Sequence, residues 1–359
     1  MKDELAERVL ANVMAWNAAQ VAEVGGALQQ LAGLKYDEYE GYRPGVKFLE
    51  SLAAWLWQME PPERELAVEF VLKHLVFISR AELEHLIETV YPDVIRPLLV
   101  ERAASLLGAA PHRVKAVTES PEFRELQRKT LILGLADGAR LDRLRRASPE
   151  LSHEQFWLVP ELGEQVGRSM ADQLQKALTA MNVPGPALFL NILLVDDFTG
   201  SGATLLRPDG PSWKGKLWKT HLQIESLKDA IAADAQVTIL LYIASEQAQQ
   251  RLQERLKDAG LPWEIRVVQR LRASLSVTDA RLVDICNRYF DPILQDQHLL
   301  VGGQSAALGF GGVSLPLVIH HNTPNNSIAI LWADTSDRLD SARRRALFPR
   351  RERHQSDRP

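Results

Sequence analysis

Two adjacent aspartates followed by a loop of small residues form the most informative segment of the sequence. An apolar run over residues 187–195 leads into Asp196 and Asp197. Ligands of open α/β sheets bind outside the carboxyl ends of the strands, where this acid pair is expected to lie. The two carboxylates could hold sugar hydroxyls there, or a divalent cation. The loop that follows contains Thr199, Gly200, Ser201, Gly202, Ala203 and Thr204.

The composition of this loop favours phosphate as its ligand. Its two glycines let backbone N–H groups approach an anion closely, and its threonine and serine hydroxyls add hydrogen-bond donors. We also expect a helix to begin directly after the loop, with the positive end of its dipole facing the anion. The alternative is an Asp-rich turn that only closes a buried strand.

Two other phosphate-binding motifs do not fit. A P-loop requires Gly-x4-Gly-Lys-Ser/Thr, and no lysine lies within residues 196–204. A dinucleotide-binding fingerprint places Gly-x-Gly-x-x-Gly directly after the strand, without an acid pair. The segment therefore points to a different class of phosphate ligand.

The overall composition is that of an ordinary globular protein. Of its 359 residues, 46% are hydrophobic and 25% are charged, and the formal net charge is −4. A near-neutral total argues against a general nucleic-acid coat. Cys286 is the single cysteine, which excludes an internal disulfide and thiolate-rich metal sites. The apolar runs are shorter than the roughly 20 residues that span a bilayer, so we expect a cytoplasmic protein without a membrane span.

Alternating strand and helix patterns predict the elements that position the acid pair. Short apolar runs predict strands at 130–135, 156–159, 187–195, 236–244 and 263–268. Amphipathic patterns predict helices at 161–181 and 246–259. This alternation is typical of a mostly parallel sheet covered by helices on both faces. Further strands are predicted at 313–320 and 327–332.

The first third of the sequence has the pattern of a helical domain. Apolar residues recur at helical spacing from Leu5 to Met14, and the prolines 61 and 62 suit the first turn of a helix. Ser79 and Glu82 have the spacing of a capping box. We predict three parts: a helical N-terminal domain at 1–122, an α/β domain at 123–340 and a basic C-terminal tail at 341–359.

The acid pair and its loop resemble the phosphoribosyl-pyrophosphate motif of phosphoribosyltransferases. The resemblance implies a phosphoribosyltransferase-type, Rossmann-like α/β fold. In that family the acid pair contacts the ribose hydroxyls and the loop binds the ribose 5-phosphate. By resemblance, Asp196 and Asp197 are the catalytic pair and would hold magnesium, and Thr199 to Thr204 bind the phosphate. Gly200 stands where many members have Thr or Ser.

The same resemblance implies a second loop, for pyrophosphate, after an earlier strand of the sheet. The matching loop follows the predicted strand at 130–135, and Gly138 permits close backbone approach while Arg140 suits pyrophosphate. Arginines 143, 145 and 146 make the neighbourhood positive. The alternative is a plain strand-to-helix turn. The candidate loop is Ala136, Asp137, Gly138, Ala139 and Arg140.

A narrower resemblance extends over residues 130–353. The stretches 134–142, 196–217 and 321–351 are similar to the phosphoribosyltransferase-like proteins of bacterial conflict and anti-phage systems, the PRTase-CE group, some of which accompany retrons. This resemblance implies an effector in anti-phage defence. It does not specify the group's chemistry.

Two loops outside the motif have the composition of ligand contacts. Residues 206–217 carry Trp213, which could stack on a base, and Lys214 and Lys216, which could reach a phosphate. This insertion, or the glycine-rich stretch 309–312, could close over the site, as mobile loops do in phosphoribosyltransferases. The turn 322–326, beside two histidines at 320 and 321, could offer amides to a base or ribose. A turn between two strands is the simpler alternative.

The C-terminal tail and the N-terminal helices are the candidate partner surfaces. The tail has seven arginines against two acids, which suits nucleic-acid phosphates or the acidic face of a partner protein. A solvated tail is the alternative.

These observations support two functional hypotheses. In the first, the protein binds phosphoribosyl pyrophosphate, or a related ribose-phosphate nucleotide, with magnesium and carries out transfer or hydrolysis at the anomeric carbon. In the second, the protein is a non-catalytic sensor or scaffold of a defence complex that binds a nucleotide or nucleic acid. The presence of both aspartates favours the enzyme.

Overall fold

The computed structural model describes residues 3–294, 305–339 and 342–351. The chain divides into two compact units. The described residues within 1–82 and 272–359 form the first unit, and residues 83–271 form the second.

The described residues contain fifteen α-helices and nine β-strands, joined by short 3-10 and π-helical turns. The helices are α1 Asp3–Met14, α2 Ala18–Gln20, α3 Gly26–Leu34, α4 Phe48–Trp57, α5 Pro61–Lys73, α6 Arg80–Val90, α7 Arg96–Leu106, α8 Val114–Thr118, α9 Pro121–Arg128, α10 Leu141–Arg146, α11 Glu164–Ala180, α12 Lys216–Ser226, α13 Glu246–Asp258, α14 Ala280–Tyr289 and α15 Ala329–Trp332. The strands are β1 Val76–Ile78, β2 Thr130–Gly134, β3 Phe156–Leu158, β4 Phe189–Thr199, β5 Arg207–Asp209, β6 Ser212–Lys214, β7 Ile231–Ser245, β8 Glu264–Leu271 and β9 Leu317–Ile319.

A five-stranded parallel sheet forms the centre of the second unit. Its spatial order is β3-β2-β4-β7-β8, and every neighbouring pair is parallel. The chain runs from β2 outward to β3 and then returns to the other side of β2, so the strand order reverses between β2 and β4. Such a reversal is the topological switch point at which open α/β sheets bind ligands. The predicted α/β fold class is confirmed.

The central strands are buried on both faces, as their continuous apolar sequences predict. Residues 192–195 of β4 and 239–244 of β7 are at most 1% exposed. Apolar residues of the helices complete this core, among them Met170 and Leu174 of α11 and Leu252 of α13. The burial of apolar side chains on both faces is the main stabilising contribution to such a sheet.

The first unit has its own apolar core, formed by residues distant in sequence. Tyr36 contacts the rings of Phe48 and Phe77, with centroids 4.6 and 5.1 Å apart. Phe348 lies 5.9 Å from Tyr36 and is fully buried. The short strands β1 and β9 pair in parallel in the same unit.

Several local predictions for this unit are confirmed. The prolines 61 and 62 occupy the first turn of α5. The amide N–H of Glu82 donates to Ser79 Oγ over 3.1 Å, and the amide N–H of Ser79 donates to the Glu82 carboxylate over 2.7 Å, which is the predicted capping box.

The strand predicted at 327–332 is wrong, because α15 begins within this stretch. The indole N–H of Trp332 donates to the Ser327 carbonyl over 2.8 Å. The carbonyl of Leu331 accepts from the amide of Phe348 over 2.8 Å. These backbone carbonyls are thus satisfied without a neighbouring strand.

The two compact units divide the chain differently from the predicted domains at 1–122, 123–340 and 341–359. Helices α7 to α9 belong to the unit that contains the sheet. Leu347 and Phe348, from the predicted tail, are buried in the core of the first unit. Residues 352–359 of that tail lie outside the described residues. The boundaries of independently folding domains stay predictions.

Among the described residues, no helix combines the length and the apolar character that a membrane span requires.

A buried polar network joins the three central strands at the amino end of the sheet. The Arg102 guanidinium of α7 donates to Asn191 Oδ1 on β4 over 2.5 Å and to Thr238 Oγ1 on β7 over 2.9 Å. The Asn191 amide donates to Thr130 Oγ1 on β2 over 3.3 Å. All three partner residues are at most 1% exposed, so their polar atoms depend on partners within the protein.

We predict that Arg102→Met lowers the free energy of unfolding by about 2–4 kcal/mol, because it leaves buried acceptors unsatisfied. Urea denaturation measures the effect. The matched control is Arg266→Met, which removes an exposed ion pair with Glu101 and is expected to cost at most about 1 kcal/mol. Equal losses for the two variants would contradict this account of the network.

Candidate functional site

The acid pair lies at the carboxyl end of the central strand β4, beside the switch point. Val195 pairs with Gly134, the last residue of β2, and the amide of Leu135 donates to the Val195 carbonyl over 2.9 Å. The loops that follow β2 and β4 therefore leave the same edge of the sheet together. Asp196 is 1% exposed, while Asp197 is half-buried.

The loop after the acid pair is shaped by its own hydroxyl groups. The amide of Gly202 donates to Thr199 Oγ1 over 3.1 Å, and the amide of Ala203 donates to Ser201 Oγ over 3.4 Å. The Gly200 carbonyl accepts from Ser245 Oγ over 2.7 Å. An anion that binds the first two amides would take the place of these hydroxyl acceptors.

Gly202 is required by the conformation of this loop. Its φ of +74° lies in the left-handed region that favours glycine. A Cβ atom at this position would lie 2.8 Å from Leu252 Cδ1 of α13. The loop can pack closely on α13 only because residue 202 is a glycine and has no side chain. Thr204, the last residue of the loop, is exposed.

The helix expected directly after the loop is absent from that position, so this prediction is wrong. The amides of Leu205 and Leu206 both donate to the Gly202 carbonyl, and this turn leads into the antiparallel hairpin of β5 and β6. The next helix, α12, begins only at Lys216. The positive end of a helix dipole therefore does not follow Thr204 along the chain.

The predicted pyrophosphate loop lies against the acid pair. Residues Asp137–Ala139 form a 3-10 turn, and Arg140 adopts a left-handed conformation with a φ of 45°. A Cβ atom on Gly138 would lie 2.8 Å from Asp197 Oδ2. The hydroxyl of Tyr242 on β7 donates to the Ala139 carbonyl over 2.6 Å. The structure thus brings the residues 136–140 and 196–204 together, while their role in binding stays a prediction.

Tyr242 is a component of the site that sequence reasoning missed. It is fully buried on β7 below the loop 136–140. Burial, with a smaller contribution from the two aspartates, raises the pKa of its phenol well above the usual range. It therefore stays protonated and keeps its hydrogen bond to the loop. In the sequence it is one apolar-type residue within a strand pattern, which gives no signal of this contact.

Lys216, a candidate phosphate contact from the insertion after the loop, lies against the acid pair, a contact that the sequence did not predict. Its Nζ lies 2.6 Å from Asp196 Oδ2, while Asp196 Oδ1 is buried and has no hydrogen-bond partner among the described residues. Burial and the neighbouring Asp197 raise the pKa of Asp196 to about 6, and Lys216 opposes this rise. The sequence signal for Lys216 was its place in the insertion after the loop.

The other two candidates from this insertion have different surroundings. Trp213 packs against the apolar core of the sheet, which accounts for its indole without a ligand. Lys214 Nζ lies 2.9 Å from the carboxylate of Asp209, across the hairpin. Both contacts stabilise the hairpin itself.

The arginines after the second loop are less available to an anion than their number suggests. Arg143 forms ion pairs with Glu84, over 3.4 Å, and with Glu88, both on α6. Two carboxylates therefore offset one of the three positive charges predicted for this neighbourhood.

The turn 322–326 has structural contacts within the first unit. Thr323 Oγ1 lies 2.9 Å from the Tyr39 hydroxyl and donates to the Phe348 carbonyl over 3.0 Å. The side-chain amide of Asn322 donates to the Arg351 carbonyl over 3.1 Å. These bonds hold residues 347–351 against the turn and explain why the two stretches occur together.

The acid pair has the donor atoms that suit magnesium. Mg²⁺ is typically bound through one or two carboxylates together with substrate phosphates. Asp196 and Asp197 offer carboxylate oxygens, and Asp196 Oδ1 lacks another partner among the described residues. No group of three or more His, Cys, Asp or Glu that could hold a metal ion occurs in the described part of the chain.

We predict that Asp196→Asn stabilises the folded protein at pH 8. The raised pKa means that the native state binds a proton more tightly than the unfolded state, so stability falls as the pH rises from about 4 to about 6. Asn lacks this ionisation, and the gain at pH 8 is on the order of 2–3 kcal/mol. Thermal denaturation of the variant and the wild type should be compared from pH 4 to pH 8. The difference between their stabilities should become smaller as the pH falls. An Asp196→Asn variant that is less stable than wild type at pH 8 would contradict the view that burial disfavours the charged form of Asp196.

The comparisons with known proteins agree with the motif and extend it. The family model PRTase-CE matches residues 52–350, which adds helices from α4 onward to the region of resemblance. No curated protein and no solved structure matches the chain. Because the matched residues make up most of the sequence, the chain belongs to the PRTase-CE family and is a phosphoribosyltransferase-like protein.

Proposed function

We propose that the protein binds phosphoribosyl pyrophosphate, or a related ribose-phosphate nucleotide, together with magnesium at the switch point of the sheet. The observation that carries the proposal is the contact between the two loops. Gly138 packs directly on the Asp197 carboxylate, so two loops suited to anions flank one acid pair. The acid pair lies between the loop 199–204 and the loop 136–140. A ribose with a phosphate at each end has groups in the same order.

Each part of the site has a distinct role in this proposal. The backbone of residues 199–204 binds the 5-phosphate, and the carboxylates of Asp196 and Asp197 accept hydrogen bonds from the ribose hydroxyls. Residues 136–140 bind the pyrophosphate, where Arg140 supplies positive charge. Tyr242 holds this second loop through the Ala139 carbonyl.

Magnesium would be held by Asp196 and Asp197 together with oxygens of the ligand. When bound, it neutralises negative charge on the phosphates. The protein's own contribution is to fix the two carboxylates at the end of a rigid strand.

The proposed reaction is a substitution at the anomeric carbon. The bond from C1 to the pyrophosphate oxygen breaks and its electron pair leaves with pyrophosphate. A nucleophile, either water or an acceptor, forms the new bond to C1 and releases a proton to the solvent. The acid pair would stabilise positive charge that develops on the ribose. Following the resemblance to bacterial conflict proteins, we propose that this activity acts in anti-phage defence.

A thermal-shift titration tests ligand binding. Phosphoribosyl pyrophosphate at about 100 times its dissociation constant should add roughly 2.7 kcal/mol of stability, and we expect this shift to require magnesium. The variant with both Asp196→Asn and Asp197→Asn should lose the shift. A wild-type protein that shows no shift, with or without magnesium, would contradict the proposal. A shift without release of pyrophosphate over time would favour the sensor over the enzyme.

The contact between the loops gives a sharper test. We predict that Gly138→Ala weakens phosphoribosyl pyrophosphate binding at least about tenfold. The new methyl group displaces the Asp197 carboxylate and so distorts its charge-assisted hydrogen bond to the ribose. Calorimetric titration measures the affinity.

The matched control is Gly163→Ala, because a Cβ atom at Gly163 meets nothing within 4 Å. Its affinity should equal that of wild type. Unchanged binding by Gly138→Ala would show that the two loops do not share one ligand.

A further inference from the structure

The ammonium group of Lys216 is a built-in cation of the candidate site. Its Nζ lies 2.6 Å from Asp196 Oδ2, and the lysine side chain is 28% exposed against 2% for the aspartate. One end of this ion pair is therefore buried beneath the site, and the other reaches toward solvent. An ammonium group in this position can contact a bound anion while it keeps its ion pair with Asp196.

The backbone holds Lys216 directly on the phosphate loop. Its amide donates to the carbonyl of Thr204, the last loop residue, over 3.1 Å. The next amide, of Leu217, donates to the Leu205 carbonyl over 2.9 Å. The first turn of α12 is thus hydrogen-bonded to the end of the loop, although eleven residues of sequence separate Thr204 from Lys216.

Gly215 makes this approach possible. Its φ is +122°, and a Cβ atom would lie 2.4 Å from the Leu205 carbonyl oxygen. The hairpin of β5 and β6 consequently returns to the loop at a fixed point, where only glycine fits. The side chain of Lys216 extends from this point to Asp196 and so links the phosphate loop to the acid pair.

The position of the Lys216 ammonium reduces electrostatic repulsion between the ligand and the acid pair in the proposed site. A dianionic phosphate beside two carboxylates is repelled by like charges in a poorly solvated environment. A lysine ammonium is a compact charge with three donors, and it can serve a carboxylate and a phosphate oxygen together. The Lys216 ammonium faces the buried carboxylate of Asp196, whose other oxygen stays available to a ribose hydroxyl or a cation.

We propose that Lys216 is a ligand-binding residue that holds Asp196 and donates to an anionic oxygen of the bound ribose phosphate, which makes the site selective for phosphorylated ribose. The assignment rests on the proposed function, since it takes the loop and the acid pair as one ribose-phosphate site. It assigns the insertion after the loop a role in binding rather than only in closing the site.

The test is calorimetric titration of ribose 5-phosphate into wild type, Lys216→Met, Lys216→Arg and Lys214→Met. Loss of a charge-assisted hydrogen bond in Lys216→Met should weaken binding by about 10- to 100-fold. Lys216→Arg keeps the charge and should recover most of this loss. Lys214→Met is the matched control, because Lys214 is paired with Asp209 on the hairpin, and its affinity should equal that of wild type.

A second comparison separates a direct contact from an effect through Asp196. In the Asp196→Asn background, Lys216→Met should still weaken ribose 5-phosphate binding if the ammonium contacts the phosphate. No further loss in that background would overturn the direct contact. Equal binding by wild type and Lys216→Met would overturn the inference and leave the proposed function standing, whereas a wild type that does not bind would overturn both. Melting curves of each variant show that a lost affinity does not come from unfolding.

Discussion

The parallel pairing of β2 with β4 is the constraint on which the candidate site depends. Gly134, the last residue of β2, lies opposite Val195, so the loop that follows β2 begins beside the acid pair on β4. The strand order reverses between them, which is the position at which open α/β sheets bind ligands. The acid pair, the phosphate loop and the loop with Gly138 are near one another because of this register. A shift of one residue would turn every side chain of β4 to the opposite face.

The same arrangement places charge where apolar packing is most complete. Asp196 follows four residues that are at most 1% exposed, and its burial works against ionisation. The fold offsets this with Lys216, which the hairpin returns to the loop through Gly215. The buried carboxylate of Asp196 is paired with Lys216 through one oxygen only. Stability alone does not favour such an incompletely paired buried charge. It is expected where a ligand completes the set of contacts.

The sequence predicted those parts of the site that depend on neighbouring residues. An apolar strand, an acid pair and a Gly-rich loop are local patterns, and they identified residues 196–204 and the loop at 136–140 correctly as parts of one sheet edge. Lys216 and Tyr242 were missed as partners because their contacts depend on where a hairpin ends and on which strands are neighbours. The apolar run at 327–332 is compatible with a strand or a short helix, and distant residues such as Phe348 decide between them. The composition of the compact units likewise depends on long-range packing, for example of Tyr36 on Phe348.

A crystal structure of the protein with phosphoribosyl pyrophosphate and magnesium is the most direct test of the account. We expect the 5-phosphate within hydrogen-bond distance of the backbone amides of residues 200–204, and the ribose hydroxyls at Asp196 and Asp197. The pyrophosphate should lie against residues 136–140. A ligand bound elsewhere at saturating concentration, or a ribose turned away from the acid pair, would contradict the central claim that these loops form one ribose-phosphate site.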